Sequence, residues 1–195
     1  MLCAKKAKFH GPLDSFTHYI YYKFSSSKII NSKILSSSKI IADMLHPLKQ
    51  RLFLWAKLPG AAFMGCRVTE FTAERAVVAM PYGWRSQNPF QSIYFAAQCA
   101  AAELSTGILA QAAIADAGVP VSMLVFEMRA EFVKKAVSRT HFTCTEGAAF
   151  AAAIQKAIAT GEGQTLEVQS IGVQQSGEVV SRFWFTWTFK GRKKL

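Results

Sequence analysis

The stretch from residue 91 to 117, QSIYFAAQCAAAELSTGILAQAAIADA, is alanine-rich, free of proline and apolar nearly all round. Its composition favours helix, and a helix without a polar face must be buried on most sides. In a chain of 195 residues the simplest way to bury it is to curl a sheet around it. Gly118 and Pro120 mark its end.

The flanking pattern supplies that sheet. Leu48, Leu52, Leu54, Trp55 and Leu58 recur at helical spacing, and Pro59-Gly60 closes the segment. Residues 67–71 and 75–80 read as two short strands of a hairpin joined by Thr72-Ala73-Glu74 and stopped by Pro81. After the long helix the period switches to two. Phe126, Met128, Ala130 and Phe132 alternate with Glu127, Arg129 and Glu131, a half-buried strand with one wet face. Residues 140–145 form a further strand candidate, and 147–160 (GAAFAAAIQKAIAT) a helix ending at Gly161. Strands at 165–173 and 179–190 follow, the second alternating Phe183, Phe185, Trp187 and Phe189 with Trp184, Thr186 and Thr188. This aromatic alternation is core packing rather than a stacking platform for nucleic acid. The class is α+β: an antiparallel curved sheet wrapped around a long central helix, in one domain spanning 44–195.

Residues 1–43 differ in kind. The near-repeat SSSKII occurs at 25–30 and again at 36–41, and serine, lysine and isoleucine dominate. Such a stretch has too little apolar surface to build a core. It is read as a low-complexity extension, dispensable to the domain that starts near Met44. It is basic and Ser-rich like a targeting peptide, but it lacks arginine and a continuous apolar run. The first fifty residues hold eight lysines against Asp14 and Asp43, a net +6 of the chain's +11. A surplus placed there is not by itself a nucleic-acid signature.

No apolar stretch reaches the roughly 20 residues a membrane span needs. Cys3, Cys66, Cys99 and Cys144 form no CxxC pair, and His141 and Cys144, three apart, fall on opposite faces of a strand. Neither a disulfide scaffold nor a metal site is expected, and reduced thiols fit a cytoplasmic protein.

Three segments carry a family likeness: MPYGWRSQNPFQSIYFAAQCAAAELSTG (80–107), VSMLVFEMRAEFVKKA (121–136) and the closing FWFTWTFK (183–190). Together they resemble an uncharacterised hotdog-fold family similar to the phenylacetate-degradation type of acyl-CoA thioesterase. The resemblance covers roughly residues 48–192 and leaves 1–43 unmatched. It implies the hotdog fold, in agreement with the pattern above, and a thioester as ligand.

In the related thioesterases an Asn, Gln or His precedes the central helix and an Asp or Glu lies about four turns along it. The matching positions here are Asn88 and Glu103, and the resemblance gives both a catalytic role. Fifteen residues of continuous helix rise about 22 Å, so one chain cannot bring the two to one substrate. The resemblance therefore implies a two-fold homodimer with joined sheets, each site taking Asn88 from one subunit and Glu103 from the other, with a dimer of dimers left open. Asn-Pro-Phe-Gln also reads as a helix start, with Asn88 as N-cap, Pro89 at N1 and Gln91 at N3, while Ser92 is a competing cap.

The family's His-Gly-Gly, which supplies a backbone oxyanion donor, aligns with Tyr94, Phe95 and Ala96. A helix starting near Ser92 leaves the Tyr94 and Phe95 N–H groups free for an oxyanion, whereas one starting at Asn88 consumes them. Ser92, Tyr94 and Phe95 are the expected substrate contacts, joined by Ser122, placed to orient a water or the carboxylate. Arg85, Arg129, Lys134, Lys135 and Arg139 are candidates to meet coenzyme A phosphates, or are simply a solvated edge. Cys99 reads as a small core residue.

The expectation is a homodimeric acyl-CoA or acyl-carrier thioester hydrolase that uses no metal and no cofactor beyond the coenzyme A of its substrate. It has no nucleic-acid partner. The alternatives are an acyl-thioester-binding protein without turnover, and a nucleic-acid-associated protein using the lysine-rich front.

Overall fold

The computed structural model describes residues 36–191. In chain order these form α1 (Ser37–Leu45), α2 (Pro47–Lys57), α3 (Pro59–Met64), β1 (Arg67–Phe71), β2 (Ala76–Met80), α4 (Phe95–Ala117), β3 (Val121–Phe132), β4 (Thr140–Cys144), α5 (Gly147–Thr160), β5 (Gln164–Gln174) and β6 (Val179–Gly191). The strands make one sheet in the order β1-β2-β4-β5-β6-β3, with every neighbouring pair antiparallel. This is the hotdog arrangement, in which the 23-residue α4 packs across β2, β4, β5 and β6.

Burial follows the periods of the sequence. In β6, Phe183, Phe185, Trp187 and Phe189 are buried toward α4 while Arg182, Trp184, Thr186 and Thr188 are half-buried on the other face. Ala97, Ala101, Ala102, Leu104 and Ile108 of α4 meet them, and the small alanines let the sheet come close. Phe150, Ile154 and Ala157 turn α5 onto the same core, beside α4 and over β5 and β6.

Four expectations are corrected. Helix α2 ends at Lys57 with Leu58 as its C-cap, just before Pro59 as expected, but a further, unexpected helix follows: Pro59 opens α3 as its first residue, where a missing N–H costs nothing. The long helix starts at Phe95, later than residue 91 and much later than Asn88. Residues 88–93 instead form a loop with an isolated bridge between Gln87 and Ile93.

The third correction concerns β3. A bulge at Phe126 interrupts its register on β6, and Leu124, Phe126, Met128 and Phe132 are all exposed. The strand is an edge, so its apolar side runs past the protomer's own helix rather than under it. The fourth concerns the domain's start. Residues 1–35, with the first SSSKII repeat and Ile29, Ile30 and Ile34, lie outside the described residues. The second repeat, however, forms α1, which lies on α4 with Ile40 and Ile41 partly buried and Met44 buried. Asp116 accepts a hydrogen bond from the Ser37 N–H at 2.8 Å, placing a carboxylate at the start of α1. The packed unit thus takes in residues 37–43.

Among the described residues no helix is long and apolar enough to cross a membrane.

The start of α5 abuts the β1–β2 turn. The Gly147 N–H donates to the Glu74 carbonyl at 3.1 Å, and a Cβ at Gly147 would sit 1.9 Å from the Ala73 carbonyl oxygen and 2.7 Å from the Glu74 Cα. Both are backbone atoms of a tight hairpin and have no room to yield. Gly147→Ala is therefore expected to destabilise the fold by about 2–4 kcal/mol, read as a lowered midpoint in denaturant unfolding. Gly163→Ala, where a Cβ meets open space, is the control.

Candidate active site

The entry to α4 is built by a loop that folds back on itself. The Asn88 Oδ1 accepts from the Phe90 N–H at 3.0 Å and from the Ser92 N–H and Oγ at 3.2 Å. The Asn88 N–H donates to the Ser92 carbonyl, and the Asn88 carbonyl accepts from Gln91, which is held at a φ of 58°. A side-chain oxygen gripping the backbone two and four residues on is the work of a turn-former. Asn88 therefore shapes the loop and does not cap the helix.

The true N-cap is Tyr94, whose own side chain supplies no capping bond. The Tyr94 N–H is taken by the Ser86 carbonyl at 2.7 Å, while the Tyr94 carbonyl already accepts from Ala97 and Gln98. The first helical amides, of Phe95 and Ala96, have no partner among the described residues. A helix start leaves its first N–H groups open and concentrates partial positive charge there. The expected pair of donors, Tyr94 and Phe95, is thus shifted one residue along.

A cleft of about 820 Å³ opens at this point, and Asn88, Ser92, Tyr94 and Phe95 all line it. Phe132 forms part of its apolar wall, and Lys134 and Lys135 stand at its side. Lys134 is ion-paired with Glu178, whose carboxyl is pulled down to about 2 by hydrogen bonds from Lys134 first and then from Ser176 and Gln174. Among the described residues Lys135 reaches only the Phe90 carbonyl, at 3.4 Å.

Two candidates stand apart from this cleft: neither Glu103 nor Ser122 lines it. Ser122 lies near the start of β3, opposite Lys190 of β6. Glu103 is eight residues into α4, about 12 Å along its axis from Phe95. The 22 Å rise expected for continuous helix from Asn88 is not realised, yet the carboxylate is still two turns beyond the free amides of its own chain.

The other polar side chains of the first half of α4 are satisfied by the fold. Gln98 donates to the Ile93 carbonyl at 3.0 Å and accepts from the Ser181 Oγ at 2.8 Å. Ser105 meets the Ser170 hydroxyl at 2.8 Å, and Thr106 accepts from the Trp187 Nε1 at 3.1 Å. The Glu103 carboxylate differs: it has no hydrogen-bond or ion-pair partner among the described residues. It shares a half-buried face with Ala96, Cys99 and Ala100. Burial pushes its carboxyl above the usual value of 4.5.

Cys66 and Cys99 lie close enough to feel that charge. Burial first and the Glu103 carboxylate second raise both thiols, Cys66 to about 12. Both are neutral thiols and poor nucleophiles. Among the described residues no three His, Cys, Asp or Glu side chains gather as a metal site, and β4 sends His141 and Cys144 to opposite faces.

Gln98 was missed from the sequence. It ties the helix start to β6 and lines the cleft as well. Its signal was present, as the single amide in a run of alanines one turn into a buried helix, where an unpaired amide is costly.

A family model described as Domain of unknown function (DUF4442) matches residues 50–189. No curated protein matches. Among solved structures, a protein of unknown function from Chlorobaculum tepidum aligns with a TM-score of 0.68 at 11% identity, over 83% of this chain and 100% of that one. A Pseudomonas aeruginosa protein, by name a "Probable Thioesterase", aligns with a TM-score of 0.63 at 17% identity, over 75% and 97%. A thioesterase from Haemophilus influenzae aligns with a TM-score of 0.54 at 14% identity, over 72% and 88%. At such identities the likeness is one of fold, and it is the fold reached from the strand order above. The chain belongs to the DUF4442 family, whose hotdog fold here is that of thioesterase-like proteins.

Proposed function

We propose that the protein hydrolyses acyl thioesters, acyl-CoA or an acyl-carrier thioester, at a site completed across a homodimer. The observation that carries this reading is Glu103: a half-buried carboxyl without a partner on an otherwise apolar helix, its proton held more tightly than usual. A group left so exposed to desolvation is characteristic of sites that use it.

In the proposed step Glu103 takes a proton from water as the oxygen attacks the thioester carbonyl carbon. The carbonyl oxygen becomes an oxyanion, held by the Phe95 and Ala96 N–H groups at the start of α4. Collapse of the tetrahedral intermediate breaks the C–S bond. The thiolate leaves with the proton from Glu103, giving a carboxylic acid and a thiol. The Asn88 Nδ2, whose partner oxygen already fixes the loop, is the donor left to hold the carbonyl or the water. In this reading the chemistry rests on the chain's own residues. The acyl chain lies between α4 and the dimer interface, whose length sets its preference.

Glu103 and the free amides of one helix are about 12 Å apart, too far to share one carbonyl. A second α4 running antiparallel beside the first supplies the amides. The edge strand β3 supports such an assembly: it is 12 residues long, open on one side, and exposes Leu124, Phe126 and Met128. A long apolar edge is otherwise an aggregation hazard.

One observation favours a second reading, binding without turnover. Tyr94 and Phe95, packed edge to face at 4.8 Å, crowd the helix start where the related enzymes carry glycines.

The first test is release of free thiol from short, long and aromatic acyl-CoAs by the full chain. Turnover is expected, with a loss of about 10²–10⁴-fold in Glu103→Gln. A Glu103→Gln protein that turns over as well as wild type overturns the site, and a wild type that binds acyl-CoA without turnover establishes the second reading.

The raised carboxyl makes two further results follow. As a base Glu103 must be ionised, so the rate is expected to fall on its acid limb above pH 4.5, where an ordinary carboxyl is already ionised. Because its proton is held more tightly folded than unfolded, its contribution to stability is full at low pH and declines as pH rises through the folded value. Glu103→Gln is therefore expected to raise the melting temperature at pH 7–8 and to lose that gain near pH 4.

Phe126→Asp with Met128→Asp is expected to give monomers in sedimentation equilibrium and to abolish turnover with the dimer. A monomer that retains full turnover would show that one chain holds the whole site.

A further inference from the structure

The chain has eight arginines, and the described ones divide sharply by partner. Arg75 pairs with Glu70, Arg182 with Glu131, and Arg129 lies 3.9 Å over the ring of Trp184. Arg51, Arg67, Arg85 and Arg139 make no ion pair among the described residues. These four come from α2, β1, the loop after β2 and the loop before β4, yet they converge on one groove.

The groove lies on the outer face of the sheet. Arg67, Ala79 and His141 stand in one row across β1, β2 and β4. The small Ala79 leaves a hollow of about 280 Å³ between its longer neighbours, rimmed by Arg67, Arg85, Arg139, His141 and the Thr69 hydroxyl. A second hollow of about 440 Å³ shares Gly65, Arg67 and Arg85 and continues to Arg51 and the half-exposed Trp55. Gly65, at φ 91°, keeps the passage open, since a Cβ there would strike Pro81 at 2.9 Å and approach the Arg85 guanidinium. No acidic residue lines either hollow.

We infer that this groove binds a nucleoside phosphate, its phosphate held by Arg67, Arg85 and Arg139 and its base laid against Trp55. Four like charges brought together with no acidic side chain lining their groove repel one another, and a phosphate relieves that repulsion with the forked hydrogen bonds that guanidinium groups favour. The hollow around Ala79 is concave and has room for a phosphate, which suits that group better than a flat lipid surface. An indole beside it offers a stacking face for a planar ring. The groove is distinct from the cleft at the start of α4: the two share no lining residue.

Two sources present this chemistry: a free nucleotide, or the nucleotide end of coenzyme A. The second arm alone rests on the thioesterase reading.

The test is calorimetric titration of the full chain with adenosine 3′,5′-bisphosphate and with inorganic pyrophosphate. Saturable binding of both is expected, weakening as salt rises. Arg67→Ser with Arg139→Ser should lower affinity for both at least tenfold. Trp55→Ala should weaken only the bisphosphate, and Arg75→Ser should change neither. These side chains are exposed, and unchanged circular dichroism melts check that the variants fold.

If the double arginine variant also weakens acyl-CoA binding tenfold, the source is the substrate; if only the bisphosphate is affected, it is a free nucleotide. No saturable binding at millimolar ligand overturns the inference. So does binding that the double variant leaves intact, or capture by anionic phospholipid vesicles without capture of the bisphosphate.

Discussion

The structure depends on burying one helix that has no polar face. An alanine-rich helix of 23 residues gains stability mainly from what covers it. Everything around α4 is arranged to do so: aromatic residues of β6 on one side, α5 alongside, α1 across the end. Its alanines let the sheet approach closely, and the large aromatic side chains come from the sheet instead. This division of volume explains why Phe183, Phe185, Trp187 and Phe189 are buried.

A helix buried in this way is intolerant of unsatisfied polar groups. Gln98, Ser105 and Thr106 each reach a partner in the sheet or the preceding loop, so their cost of burial is offset. Glu103 occupies the same helix and is treated differently, facing a strip with Ala96, Cys99 and Ala100 that the protomer leaves half covered. The same protomer leaves β3 unpaired along its outer edge. Both are regions where the protomer's own covering stops, and both would be covered by a second copy in the dimer proposed above.

The fold was legible because hydrophobic period and helix composition are strong where burial is one-sided or complete. Residues 147–160 were read as the helix they form, and the β6 alternation predicted which aromatics point inward. The errors have separate physical sources. Asn-Pro-Phe-Gln has the residue types of a helix start, but Asn88 spends its side-chain oxygen on the Phe90 and Ser92 amides, a loop geometry that the same residues specify equally well. Local types cannot choose between a cap and a turn; here the bond from Tyr94 to the Ser86 carbonyl, between residues eight apart, accompanies a helix that begins at Phe95. The face of β3 was misread for a different reason. Period two reports that a strand has an apolar side but not whose surface covers it. The arginine groove was the least legible feature, because its members are spread over nearly ninety residues and meet only when the sheet forms.

The late start of α4 has a chemical consequence. Had the helix begun at Asn88, the amides of Phe95 and Ala96 would be spent in the ladder of hydrogen bonds, and the cleft would be lined by helix flank. Beginning at Phe95, a lining residue of the cleft, α4 leaves its first amides without a partner among the described residues, with the partial positive charge of a long helix behind them. The loop that delays it is held by Asn88, Ser86 and the bridge from Gln87 to Ile93. Asn88 therefore matters to the site in a way its spacing from Glu103 does not suggest: whatever its Nδ2 does, its Oδ1 shapes the loop that leads into those amides. Asn88→Asp keeps an oxygen for the loop and removes only the Nδ2, whereas Asn88→Ala removes both. Comparing the two separates an Asn88 that shapes the helix start from one that also holds the substrate.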